Sequence, residues 1–509
     1  MDLRRRDFLV RTAVAMAALQ HPGRLSWGAI EQDAAPIETG NRFLQGNFAP
    51  VLEEVHAEGL PVEGEIPRGL EGMLVRNGPN PRFSPLGKYH WFDGDGMLHG
   101  VHIADGKASY QNRFIETEGY RKELKAGKAL HTGLLEMPDL KLVLAGRNPF
   151  KNPANTSVVF HANRLLALWE AGEPYRIEPR GLKTAGIESF DGKLKHPFTA
   201  HPKIDPRTGE MLTFGYVPSE PVLVMSQIDA SGAWVRSTRI PIGKPTMVHD
   251  FAITERYAIF PLCPLYFDVK RLLQGTTPWY FDQSQPTRFA VVSRDDPSQV
   301  RMLEGESCFV FHLLNAFETG GEDATQIELV GCRYEQFPGS LNFGDADDAN
   351  ASDTAIPYRW VLDLKNGTVR SEALQDEAAE FPRLNDAYVG RKHRYGYVGL
   401  GDEEFFHGFR KLDLERGHPS DIHMPDGWHC GEGIFVASGS GDSGAKGLDA
   451  SREDNGWLLA FMHHATLPKC ELGIWDAQSF DSKPVARIRL PQRVPYGFHG
   501  TWVPGWGMG

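Results

Sequence analysis

The chain has 509 residues, 41% hydrophobic and 24% charged, an ordinary soluble composition that excludes a disordered or membrane-spanning class and can bury a large core. Its 54 basic and 66 acidic residues leave a formal charge of −12, which argues against a nucleic-acid partner and leaves a neutral small-molecule substrate open. The five cysteines, at 263, 308, 332, 430 and 470, are too few and too scattered for a disulfide framework, and Cys263 and Cys308 lie in apolar runs as small core residues.

At the N-terminus, Arg5-Arg6-Asp7-Phe8-Leu9 is followed by the apolar run Thr12 to Leu19, too short to span a bilayer. This reads as a twin-arginine-type export signal, with the small residues from Ala29 to Ala35 as a cleavage region. Residues 1–35 are therefore set apart as a leader. The mature protein is expected in a periplasmic or extracytoplasmic compartment of a bacterium, reached by a route that carries folded chains and suits a protein that loads its metal before export.

Residues 46–509 read as a single domain, with no linker to divide it. Short apolar segments alternate with turn clusters, and helical periodicity over ten residues is hard to find. Predicted strands are Gly72–Arg76, Gly100–Ile103, Ser157–His161, Arg164–Glu170, Met211–Val217, Tyr257–Leu262, Arg359–Asp363, Trp457–His463 and Glu471–Asp476. Asn77-Gly78-Pro79-Asn80-Pro81, Asp205-Pro206-Arg207-Thr208-Gly209 and Lys365-Asn366-Gly367 are strong turn formers. Asp93-Gly94-Asp95-Gly96 also reads as a turn, because the acid that closes a calcium loop is missing. So much short strand exceeds one sandwich, and a radial all-β propeller accommodates it; no internal repeat sets the blade count. Nine large apolar residues crowd Leu262 to Phe281, which is either core or an exposed greasy patch.

Four histidines share a setting. His201 stands in Phe198-Thr199-Ala200-His201-Pro202-Lys203, His249 in Thr246-Met247-Val248-His249-Asp250-Phe251, His312 in Phe309-Val310-Phe311-His312-Leu313-Leu314, and His499 in Tyr496-Gly497-Phe498-His499-Gly500-Thr501-Trp502. His249 is expected inside a buried strand. An imidazole in an apolar run needs partners for its nitrogens; a core histidine bonded to carbonyls is one solution and a shared metal is another. The long intervals exclude a finger-type site, so a metal would draw its ligands from separate parts of one fold. On a propeller axis, four neutral imidazoles would suit Fe(II) and dioxygen better than a closed zinc site. Each would need its other ring N–H held by a carboxylate or carbonyl. His90, His99, His102, His131, His463 and His464 are read as hydrogen-bonded structure.

These runs, together with Arg76-Asn77-Gly78-Pro79-Asn80-Pro81, His90-Trp91-Phe92-Asp93-Gly94-Asp95-Gly96-Met97 and Leu313-Leu314-Asn315-Ala316-Phe317-Glu318, resemble the carotenoid cleavage oxygenase family from about Gly46 to the C-terminus. The resemblance implies a seven-bladed β-propeller with a helical and loop cap over an axial metal site. It implies one Fe(II) per chain on His201, His249, His312 and His499, with O2 as co-substrate. The family's supporting glutamates fall on Glu170 in Leu168-Trp169-Glu170-Ala171-Gly172, Glu380 in Glu380-Phe381-Pro382-Arg383 and Glu432 in Gly431-Glu432-Gly433-Ile434-Phe435.

The activity so implied is oxidative cleavage of a carbon–carbon double bond in a carotenoid or apocarotenoid to two carbonyl products. Relatives that cleave stilbene-type phenols carry a lysine before the first of those glutamates and a tyrosine in the upstream arginine-containing strand. The corresponding positions here hold Trp169 and Phe114, which favour an apolar polyene. Lignostilbene-type cleavage, a non-catalytic carotenoid-binding propeller and a propeller hydrolase with another metal are the alternatives. An insoluble polyene would be collected from a membrane, and the Leu262–Phe281 segment is the expected peripheral contact.

Overall fold

The structure is a computed structural model that describes residues 40–134, 150–268, 270–271, 278–320, 325–338, 354–402, 405–438, 453–467 and 469–505. The twin-arginine segment, Leu272 and Leu273 lie outside these residues. Each predicted strand is present, Ser157–His161 and Tyr257–Leu262 with the expected ends and the others displaced by a few residues.

Hairpin chemistry drives the folding of individual sheets. Strands Ser157–His161 and Arg164–Leu168 are joined by Ala162 and Asn163 alone, both left-handed (φ 49° and 58°), the two-residue turn whose twist matches that of paired strands. Repetition of such meanders gives four four-stranded antiparallel sheets, a five-stranded sheet, a ten-stranded sheet and one two-stranded hairpin among the described residues. The short strand Trp428–Cys430 pairs with strands on both sides of it and makes the ten-stranded sheet continuous, so strand pairing does not by itself return a count of seven blades.

Burial grades along each meander. Met211–Tyr216 is buried at every position, whereas Trp234–Pro241, at the edge of the same sheet, alternates. A strand near the axis is covered on both faces by neighbouring sheets, and an outer one faces water on one side.

The chain ends interlock. Gly500–Pro504 pairs antiparallel with Gly72–Pro79, and Val62–Gly64 pairs with Ala486–Arg489, so early and late segments complete each other's sheets. Among the described residues the α-helix is Glu118–Ala126, opened by the Thr117 hydroxyl on the Tyr120 N–H and closed by left-handed Gly127.

The Leu262–Phe281 cluster divides. Leu262, Cys263, Leu265 and Tyr266 are core, while Trp279–Phe281, paired as a hairpin with Leu265–Phe267, is partly exposed, Tyr280 most of all. All five cysteines are free and buried, and Asp93 ends a short 3-10 turn capped by His90.

Candidate metal centre

The four histidines come from four different sheets, and each stands just ahead of the first strand of its run: Lys203–Ile204, Ala252–Ile253, Leu313–Thr319 and Gly500–Pro504. His249 is therefore not inside a strand, contrary to expectation. At His499 the backbone bonds to two sheets and turns the ring inward: Asn77 N–H, on the paired strand, donates to His499 O at 3.1 Å, while His499 N–H donates to Thr156 O of the next sheet at 3.1 Å. The His201 segment is set by close backbone approach. Thr199 N–H donates to Phe214 O at 2.7 Å, and a Cβ on the neighbouring Gly215 would fall 1.6 Å from Pro197 O.

One nitrogen from each of His201, His249, His312 and His499 lies within 4.8 Å of the others. Ring centroids are 4.6 Å apart for His201–His249 and for His201–His499, and 4.7 Å for His312–His499. Three rings are held from behind. His249 Nδ1 bonds Glu170 Oε2 at 2.7 Å, His312 Nδ1 bonds Glu380 Oε2 at 2.8 Å, and His499 Nδ1 bonds Glu432 Oε1 at 2.9 Å. A carboxylate on Nδ1 fixes the tautomer and turns the Nε2 lone pair toward the common centre. His201 has no such carboxylate among the described residues; its backbone N–H, not its ring, donates to the Thr199 hydroxyl at 3.0 Å.

Burial, reinforced by the neighbouring histidines, pushes His201 and His312 well below the usual imidazole range. Burial also lowers His499, against the opposing pull of Glu432. These three rings are therefore neutral donors near neutral pH, as a metal requires. His312 Nε2 is buried and has no hydrogen-bond partner. Four converging imidazole nitrogens with such an orphan among them fit a divalent cation, and the all-nitrogen donor set suits iron(II) with positions left open.

The support extends beyond the glutamates. Arg383 donates to both oxygens of Glu432, at 2.8 and 3.1 Å, and to Gly500 O at 2.8 Å. Burial raises the Glu432 carboxyl, but Arg383 and His499 outweigh it and hold it at about 2. Asp250 pairs with Lys203 at 2.7 Å and accepts from Leu313 N–H at 2.9 Å, so one buried carboxylate ties together the segments bearing His201, His249 and His312. Phe381, left-handed at φ 53°, places its ring 5.2 Å from His312 and 4.7 Å from His499. Sequence reading passed over these residues. Asp250 carried a usable signal, a charge inside the apolar run of His249; Arg383 was visible only as part of a motif.

Trp169, just before Glu170, lines an open cleft of about 590 Å³ with Phe83, Tyr89, Phe92 and Phe150. Phe92 meets Phe498, the neighbour of His499, at 5.5 Å between centroids. Phe114 does not line this cleft; it is buried in a small cluster with Met97 and stacks on Tyr120 at 5.2 Å.

A ring of antiparallel sheets with histidines converging at its centre, held by carboxylates behind, defines a class of metal-dependent β proteins. The family described as retinal pigment epithelial membrane protein matches residues 48–504. A carotenoid 9,10(9',10')-cleavage dioxygenase 1 of Pisum sativum is 38% identical over 492 residues, spanning 91% of this chain and 90% of that protein. A carotenoid cleavage oxygenase of Mycobacterium tuberculosis is 32% identical, spanning 92% and 99%. Among solved structures, a Pseudomonas brassicacearum lignostilbene dioxygenase superposes with a TM-score of 0.81 at 30% identity, covering 91% of this chain and 99% of that one. A variant of the Synechocystis apocarotenoid oxygenase gives 0.79 at 31% identity, covering 89% and 97%. The chain belongs to this carotenoid cleavage oxygenase family.

Proposed function

We propose that this chain is a non-haem iron(II) dioxygenase that cleaves a carbon–carbon double bond of a carotenoid or apocarotenoid with O2, giving two carbonyl products. The observation that carries this reading is the convergence of His201, His249, His312 and His499 with carboxylates on three of the rings. Those four residues would hold one iron per chain. When bound, the iron supplies the activation of dioxygen beside the alkene.

The chain's own residues do the rest. Glu170, Glu380 and Glu432 keep three imidazoles oriented, and Arg383 and Asp250 hold the segments in register. Trp169, Phe92 and their aromatic neighbours supply the part of the cleft that rewards an apolar chain, beside a charged side formed by Asp93, Asp95, Glu123 and Lys151. Trp169 itself offers no ammonium to a phenol, and the Lys151 ammonium that lines the same cleft is engaged by Asp95 and Glu123, which favours a polyene over a hydroxystilbene. Phe114 lies outside this cleft and stacks on Tyr120.

Stilbene cleavage is the second reading, favoured by the similarity to the lignostilbene dioxygenase. A carotenoid-binding protein without activity is the third. Iron-loaded protein offered an apocarotenal and a hydroxystilbene side by side separates them: the first reading requires turnover of the apocarotenal with little of the stilbene, the second the reverse, and the third neither. A twin-arginine leader, extracytoplasmic location, the seven-blade count and membrane contact through the Leu262–Phe281 segment belong to the same proposal. Of that segment, the partly exposed Trp279–Phe281 hairpin strand is the described part suited to a lipid surface.

A further inference from the structure

Arg76 is the first residue of the Arg76-Asn77-Gly78-Pro79 motif, and the metal centre makes no use of it. It sits on strand Gly72–Pro79 opposite Gly500, is 5% exposed, and lines a second, small and partly open cavity. Phe381, whose ring also meets His312 and His499, forms part of the wall; Trp91, Phe406, Phe461 and Met462 make up much of the remainder.

A buried guanidinium is normally paired with an acid, because its charge is costly to remove from water. Among the described residues Arg76 has no carboxylate within ion-pair distance. Its Nη2 donates to Pro495 O at 2.6 Å, and its Nε has no hydrogen-bond partner. Glu432, whose charge Arg76 feels, is already bound by Arg383 and His499. Arg493, also felt at this junction, gives its donors to the carbonyls of Asn47, Ala49 and Pro50.

The neutral groups nearby cannot supply the missing charge. Burial pushes the Cys470 thiol up to about 11 and raises the Tyr110 phenol, so both stay protonated near neutral pH. Burial lowers Arg76 only to about 10, which leaves it a cation. Gly497 packs closely on this guanidinium: a Cβ there would lie 2.6 Å from Arg76 Cζ and 2.9 Å from Nε. The Tyr496 hydroxyl on the same wall is shared between His429 Nδ1 at 3.0 Å and His463 Nε2 at 2.9 Å.

We propose that this cavity is an anion site, in which a halide ion binds beside Arg76 Nε and closes the junction between the sheet of Gly72–Pro79 and the sheet that carries Glu432. One orphaned donor on a cation, within a mostly aromatic and thioether wall, suits a weakly hydrated monovalent ion. A phosphate or sulfate would need several more donors.

Bromide is the probe, because it scatters anomalously. Iron-loaded protein exchanged into sodium gluconate should gain a saturable rise of roughly 1–3 °C in unfolding temperature as bromide replaces gluconate at constant ionic strength. Crystals grown in bromide should show an anomalous peak within hydrogen-bonding reach of Arg76 Nε. Arg76→Met should lose both signals, and Arg76→Lys should recover part of the thermal shift. Should Arg76→Met fail to fold, the wild-type peak decides alone. A cavity without anomalous density in bromide-grown crystals overturns the proposal, as does a peak unchanged in Arg76→Met, which would mark an adventitious ion only.

Discussion

Glu432 shows how much rests on a single side chain at the metal centre. Its carboxylate holds the His499 ring, accepts Arg383 in two places and caps the Gly500 N–H at 2.8 Å. A carboxyl lowered from an ordinary 4.5 to about 2 adds stability that is complete above 4.5 and is lost as the pH falls through 2. Glu432→Gln would leave the half-buried Arg383 guanidinium without its counter-ion, at a cost of about 1–3 kcal/mol near neutrality. The pH slope of the metal-free variant between 4.5 and 2 should be flatter than wild type; denaturant titrations at several pH values check both parts. Glu380→Gln keeps the shape and removes a charge, so iron affinity is expected to fall about 10- to 100-fold. His312→Ala should cost most of the iron and activity. Iron retained in full by that variant would show that the ligand assignment is wrong.

Between elements, Asp250 is the clearest case of one side chain linking segments that the chain brings together from far apart. It spans the segments of three histidines through Lys203 and Leu313 N–H. Asp250→Ala leaves a half-buried lysine and the buried Leu313 amide without their acceptor, with an expected loss of about 1–3 kcal/mol. A reduced iron content should accompany it even though no ligand is touched, and calorimetry with metal analysis measures both.

Such cross-links were the least legible part of the sequence. Strands were readable because turn residues and apolar runs are local signals: Tyr257–Leu262 and Ser157–His161 emerge with the expected ends. The four histidines that converge stood out because each interrupts an apolar run, and the family motifs marked them as a set. His249 was misplaced inside a strand, since residue pattern does not reveal where a ladder stops near an axis. Phe114 and Trp169 are both aromatic and both buried, yet only Trp169 faces the cleft, a difference that depends on which side of a strand end each ring leaves. The blade count is hidden even in strand pairing, because Trp428–Cys430 bridges what would be two blades.

For the whole molecule, closure couples the ends of the chain to the metal. The ligand His499 immediately precedes the strand Gly500–Pro504, which completes the sheet begun at Gly72. Deleting residues 500–509 should therefore remove iron as well as stability, although every histidine remains; loss of stability with iron intact would uncouple closure from the centre. Selectivity belongs to this scale too, because it depends on the full aromatic wall. Trp169→Lys with Phe114→Tyr is expected to give only partial stilbene cleavage, as cleft width would have to change as well, and product analysis on both substrates measures it.

Oxygen uptake by iron-loaded protein supplied with an apocarotenal, normalised to bound iron, tests the central claim most directly. The account predicts one O2 consumed for each double bond cleaved, with two carbonyl products and activity proportional to iron up to one ion per chain. Protein that holds stoichiometric iron yet consumes no oxygen with apocarotenals, or cleaves them equally well without iron, would contradict it.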